Sequence, residues 1–114
     1  MIYEMHILNK YLESIKEGTK KHEYRLGKPE SRAIKIGDTI RLITNEDENV
    51  TLDVEVTGIT LYKSWYEAMK DNWENDFKGL YNSFDELMED CKNFYTEEEI
   101  KKYGIIMFDI ISSR

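Results

Sequence analysis

Residues 105–110 read Ile-Ile-Met-Phe-Asp-Ile, an apolar run broken only by Asp109. A strand with one wet face alternates apolar and polar side chains. A strand apolar at nearly every position has no wet face and belongs inside a sheet, covered on both sides. The run is far too short to cross a bilayer. It therefore predicts a final strand in the centre of the sheet, reached after the stop at Tyr103-Gly104. A central strand made last must pair with strands made earlier, so the expected closure is non-local.

The rest of the chain supplies the partners. Tyr3 to Ile7 predicts a short strand, with Tyr3, Met5 and Ile7 on one face and Glu4 and His6 on the other. A helix follows, with Asn9 as its N-cap, Leu8, Leu12 and Ile15 at near-helical spacing and Tyr11 beside them. Lys16 sits in its last turn and Gly18 is placed as a C′ glycine. Lys21 to Leu26 is expected to be extended until Gly27-Lys28-Pro29 breaks it, and residues 27–33 to form a loop exposing Lys28 and Arg32. Thr39 to Ile43 alternates after the turn at Gly37-Asp38. Glu46, Asp47 and Glu48 mark an exposed hairpin connection without the ligand spacing of an EF-hand. Leu52, Val54 and Val56 then alternate with Asp53, Glu55 and Thr57, and Gly58 marks a bulge before Ile59 to Tyr62.

Three capping boxes come next: Ser64 with Glu67, Ser83 with Glu86, and Thr96 with Glu99. Trp65, Met69, Trp73 and Phe77 give the first helical segment its stripe, with an irregular region over 72–82. Phe84, Leu87, Met88, Cys91 and Tyr95 give the second its apolar face. The order is strand, helix, several strands, a helical insertion and a strand. It predicts an α+β domain over residues 1–114, a small mixed β-barrel or curved sheet with an N-terminal helix and a helical insertion in its C-terminal half.

Composition excludes several classes. The 114 residues carry a net charge of −7, which argues against a general coat for nucleic acid. The charge is uneven, with nine basic and six acidic side chains in residues 1–44 and seven against seventeen in the remainder. The basic half is read as a local positive cleft on a negative body, or as the counterpart of acidic faces that solubilise the protein. Met1-Ile2-Tyr3-Glu4 turns polar at once, unlike a signal peptide, so a cytoplasmic location without membrane contact is expected. The single cysteine, Cys91, rules out an internal disulfide and reads as a small core side chain. His6 and His22 are too few for zinc, so neither a metal nor a cofactor is expected.

The densest chemistry lies in Gly18-Thr19-Lys20-Lys21-His22-Glu23-Tyr24-Arg25. On an ideal strand Lys21, Glu23 and Arg25 share one face, and Lys20, His22, Tyr24 and Leu26 the other. Lys20 is off-parity with Glu23, but a bend after Gly18 brings it back. A charged edge strand that discourages aggregation explains the pattern; so does the rim of a binding cleft.

Gly18, Lys20, Glu23 and Arg25 together match the GxKxxExR signature of the ASCH domain family, in the PUA-like superfamily, and the chain resembles that family over nearly its whole length. The resemblance implies a PUA-like barrel whose signature residues gather in a cleft between barrel and helices, and a role in binding RNA. Some bacterial members are linked to ribonuclease activity. Another small relative hydrolyses the amide of N4-acetylcytidine, using the signature lysine with a threonine where this chain has Glu23. Here the glutamate usual in the family stands instead.

On that resemblance the expected function is binding of RNA or a nucleotide-like small molecule through a basic cleft built around Gly18–Arg25. Lys20, Lys21, Glu23, Tyr24, Arg25 and Arg32 are the candidate ligand-binding residues, and Gly18 is structural. Lys20 neutralises a phosphate or carboxylate, Arg25 grips a phosphate or holds Glu23, and Glu23 accepts from a base or serves as a general base. Tyr24 and His22, with Trp65, Tyr66 and Trp73, are stacking candidates or core. One alternative is a small hydrolase acting on RNA or a modified nucleoside, with Lys20 and Glu23 catalytic and a second carboxylate among Glu74, Asp76 and Glu86. The other is a non-enzymatic protein-interaction domain whose acidic insertion meets a protein partner.

Overall fold

In a computed structural model describing residues 1–112, five strands form one mixed sheet in the order β1-β3-β4-β5-β2. They are β1 (Ile2–Ile7), β2 (His22–Leu26), β3 (Thr39–Thr44), β4 (Thr51–Tyr62) and β5 (Ile105–Ser112). β5 lies between β4 and β2, antiparallel to both. The apolar run is therefore an inner strand. Its alternation sends Ile106, Phe108 and Ile110 into one core cluster and Ile105 and Met107 into another. Each such buried side chain contributes about 1.5–3 kcal/mol, and β5 contributes on both faces.

β1 runs parallel to β3. Such a pair needs a crossover, supplied by α1 (Asn9–Glu17), β2 and the single turn α2 (Pro29–Arg32). The stretch read as a loop over 27–33 thus holds a helical turn, with Pro29 near its start where a missing N–H is not needed. Asn9 is not the cap of α1. Leu8 leaves β1 with extended geometry and takes the cap position, no side chain caps the turn, and the N–H groups of Tyr11 and Leu12 bond to the Leu8 carbonyl.

β1 and β2 are the two edges of the sheet. Curling brings these edges face to face as a half-barrel. Across the seam, Nη2 of Arg25 on β2 donates to the His6 carbonyl on β1 at 2.7 Å. On β4 the pairing register shifts between Val56 and Gly58, the expected bulge. A Cβ on Gly58 would stand 2.5 Å from Oδ2 of Asp109, so only glycine lets the one acidic side chain of β5 lie there.

The insertion comprises α3 (Trp65–Asn72), a π-helical turn (Trp73–Phe77), α4 (Phe84–Cys91) and α5 (Glu97–Tyr103). Ser64, Ser83 and Thr96 each accept from the backbone three residues on. Only Thr96 and Glu99 complete the reciprocal box; Glu67 and Glu86 reach one residue further back, to the N–H groups of Lys63 and Asn82. Met69, Phe77, Leu87 and Cys91 pack on Tyr24, Ile105 and Met107 and cover the outer face of β5. No helix among the described residues is long and apolar enough to cross a membrane.

Candidate functional site

Because β2 pairs with β5 alone, its other edge is free. That free edge, the end of β1 and the insertion enclose a cavity of about 220 Å³. An unpaired edge offers side chains of both faces to such a space, and Glu23, Tyr24 and Arg25 all line it. Lys20 joins them from the turn before the strand. Gly18 closes α1 with a left-handed φ of 85°, regular strand begins only at His22, and Lys20 swings back to the Glu23 side.

Lys20 is 4% exposed. Its ammonium donates to the His22 carbonyl and lies 5.0, 5.4 and 5.6 Å from the ring centres of Tyr24, Tyr11 and Phe77. Burial pushes its pKa below the ordinary lysine value, while the charges of Glu23 and Asp76 act in the opposite direction. Ring faces compensate an ammonium only in part, so this proton leaves more readily than that of a surface lysine. Glu23 is equally buried, and its Oε2 accepts from Nε of Arg25 at 2.5 Å. One guanidinium thus orients the carboxylate and spans the seam.

Asp76, in the π-turn, holds the signature strand from behind. Its side chain is fully buried. It accepts from the Lys21 N–H at 2.7 Å, from Nδ1 of His22 at 2.7 Å and from the Tyr24 hydroxyl at 2.5 Å. Burial alone would raise this carboxyl, but the bonds from His22, the Lys21 backbone and Tyr24, with the nearby Lys20 charge, hold it below its ordinary value. Burial and the bond to Asp76 raise the Tyr24 hydroxyl, so it stays protonated. The Nε2 atom of His22 lies 3.2 Å from Oδ1 of Asp109, without the alignment of a hydrogen bond.

Aromatic side chains complete the walls. Trp65 stacks on Tyr95 with centroids 6.0 Å apart and planes 9° from parallel, and Phe94 lies 6.1 Å from it. All three line the cavity, as does Tyr11. The Tyr11 hydroxyl is bonded to that of Tyr81, which is bonded in turn to Asp90.

Lys20, Glu23, Tyr24 and Arg25 are thus brought together. Lys21 and Arg32 lie elsewhere. Lys21 is exposed and faces a shallow depression on the other side of the strand, near Lys16 and His22. Arg32 donates to the carbonyls of Gly27 at 2.7 Å and Tyr103 at 2.9 Å, tying α2 to α5. Trp65 lines the cavity, whereas Trp73 and Tyr66 pack edge-on against Phe84. Of the three acids weighed as a second carboxylate, Glu74 pairs with Lys78 at the surface, Glu86 serves the start of α4, and Asp76 alone is buried. Tyr11 and its partners Tyr81 and Asp90 carried no signal beyond helical spacing. No group of three or more His, Cys, Asp or Glu among the described residues is arranged to hold a metal.

Comparison with known proteins bears on the family and the fold. The family model described as "ASCH domain" matches residues 5–111. The crystal structure of the hypothetical protein PH0355 is similar at 38% identity and a TM-score of 0.82, covering 98% of this chain and 99% of that one. The solution structure of protein PF0455 from Pyrococcus furiosus is similar at 34% identity and a TM-score of 0.76, covering 100% and 99%. An ASCH protein variant from Zymomonas mobilis shares only the fold, at 10% identity and a TM-score of 0.61, covering 96% of this chain and 67% of that one. A search of curated proteins returns no match.

Proposed function

The chain belongs to the ASCH domain family of the PUA-like superfamily, and from that premise we propose that its seam cavity binds RNA or a nucleotide-like ligand one base unit at a time. One observation carries this reading. Buried Lys20 and Glu23, with Arg25, meet the aromatic walls of Tyr11, Tyr24 and Trp65 around a single space of about 220 Å³. Aromatic faces take any base by stacking. Glu23 and Lys20 then supply an acceptor and a donor for a base edge or its sugar. The chain carries a net charge of −7 and uses Arg32 internally, which favours one enclosed unit over a long phosphate track.

A hydrolytic reading of the same cavity is supported by the depressed lysine. A buried Lys20 that gives up its proton readily, beside the Glu23 carboxylate, has the means for proton transfer. Whether a bound ligand is also cleaved separates the two.

Calorimetric titration of the purified chain with short single-stranded RNA, matched DNA and the common nucleosides, at low and moderate salt, tests the proposal. Lys20→Met and Glu23→Gln are titrated beside the parent. Saturable binding of nucleosides or RNA by the parent, at least tenfold weaker in both variants, is expected. Contact limited to one cavity predicts a salt slope of about one or two phosphates. Binding of none of these ligands overturns the proposal. Chromatography of the bound ligand after incubation reads turnover.

A further inference from the structure

Lys20 is a buried cation that no carboxylate of the described chain pairs with. Buried charges in proteins are as a rule paired. The two carboxylates whose charge Lys20 feels, Glu23 and Asp76, are bonded to Arg25 and His22, and among the described residues Lys20 forms no ion pair. An ammonium has three donors. One goes to the His22 carbonyl. The others find no acceptor oxygen among the described residues and lie among the rings of Tyr11, Tyr24 and Phe77, whose faces compensate a cation only in part.

The surplus charge belongs to the cavity. Among the lysine, arginine and carboxylate side chains that line it, Lys20 and Arg25 stand against Glu23 alone. Arg25 commits Nε to Glu23 and Nη2 to the His6 carbonyl, so the unbalanced cation is Lys20. Burial raises the Tyr11 hydroxyl and the Cys91 thiol to about 12, and raises the Tyr24 hydroxyl as well, so these lining groups stay neutral and do not cancel it. Lys20 also lies deep. Lys20, Met69, Phe77 and Leu87 are buried members of the lining, whereas Leu8 and Phe94 are exposed and mark the mouth. A group that reaches Lys20 therefore enters as the end of a molecule. An internal phosphodiester would have to bring in a nucleotide on each side.

We infer that the ligand supplies the counter-ion of Lys20, and that the cavity takes a nucleotide by a terminal phosphate in preference to a neutral nucleoside. The inference rests on the base-binding reading above, since phosphate is the anion that a nucleotide carries. A phosphate at Lys20 gives the two remaining ammonium donors charged acceptors and favours the protonated amine.

Calorimetry with a graded set of ligands tests it: adenosine and cytidine, their 5′- and 3′-monophosphates, the dinucleoside monophosphate ApC, whose one phosphate is internal, and inorganic phosphate. The parent is compared with Lys20→Met and Lys20→Gln, and a melting curve confirms that each variant is folded. In the parent, at least one monophosphate of each nucleoside is expected to bind about tenfold or more tightly than the nucleoside itself, the value of roughly one charge-assisted hydrogen bond. ApC is expected to match the nucleosides, and inorganic phosphate to bind at least tenfold more weakly than the monophosphates. Lys20→Gln keeps donors and loses the charge, so the advantage of the monophosphates falls to parity in it as in Lys20→Met.

A purely structural role for Lys20 would weaken nucleoside and nucleotide alike and leave their ratio unchanged. Monophosphates that bind the parent no better than nucleosides, an advantage that survives in both variants, or ApC binding as tightly as the monophosphates overturns the inference while leaving the base-binding reading standing. Inorganic phosphate binding as tightly as the nucleotides, or binding of none of these ligands, overturns both.

Discussion

Replacing Asp76 with alanine is expected to be among the most damaging single changes in the chain. The substitution leaves three donors without their acceptor: the Lys21 N–H, Nδ1 of His22 and the Tyr24 hydroxyl. Tyr24 is buried, the His22 side chain is 15% exposed, and Asp76 itself is fully enclosed, so water repairs the loss poorly. A buried donor left unpaired costs about 1–3 kcal/mol. Relief of the carboxylate's own burial returns part of the total, and breaking a buried charged network costs about 3–5 kcal/mol net. For a domain of this size that lowers the melting temperature by roughly 10–20 °C. Thermal and urea denaturation followed by circular dichroism at neutral pH measures it.

The pH dependence has a fixed sign. The Asp76 carboxyl is depressed in the folded chain, so the unfolded state binds its proton first on acidification. Its stabilisation is complete above the ordinary carboxyl range and disappears as pH falls through the depressed folded value. The gap between parent and Asp76→Ala should therefore narrow on acidification. A loss below about 1 kcal/mol at neutral pH, smaller than one unpaired donor, would refute the reasoning. So would a gap that does not narrow, or an equal effect of Asp76→Ala in a Tyr24→Phe background.

Lys20→Met is expected to leave stability unchanged or raise it, because an apolar chain of similar shape replaces a desolvated charge, while calorimetry shows ligand binding lost. The folded pKa of Lys20 is lowered, so the parent gains stability as pH rises through the window ending at the ordinary lysine value, and the Met variant lacks that slope in urea titrations. Arg25→Lys cannot serve Glu23 and the His6 carbonyl together; a loss of about 1–3 kcal/mol and faster amide exchange at the ends of β1 and β2 are expected by hydrogen-exchange NMR. Burial, with the charge of Asp90, raises the Cys91 thiol to about 12, so a thiol reagent should label it only in denaturant, and rapid native labelling would contradict its placement in the core.

Local pattern was enough to read β5. Its six-residue apolar run needs no knowledge of its neighbours to demand cover on both faces, and the strand sits between β4 and β2. The bulge at Gly58 and the stop at Gly18 were legible for the same reason, since each is set by one residue's backbone. The parallel pairing of β1 with β3 was not legible, because it depends on how α1, β2 and α2 cross over. The signature pointed to a candidate site, and four of its neighbouring residues line one cavity, but strand parity separates Lys20 from Glu23, and only the turn after Gly18 reunites them. Asp76 looked like any acid on a helical face. Its role comes from contacts 52 to 55 positions away in sequence, and nothing in Glu-Asn-Asp announces a π-turn. Arg32 illustrates the converse. A charge three residues after a proline reads as an exposed rim, yet its guanidinium is spent on two carbonyls.

The seam between β1 and β2 has a consequence for motion. A barrel closed by a backbone ladder opens only by breaking many bonds together. This one is latched by a guanidinium whose other arm holds Glu23 inside the cavity. An anion that drew Arg25 away would release the carboxylate and the strand edge in the same event. The charge inside the cavity and the closure of the sheet edge are thus joined through the four heavy atoms of one guanidinium.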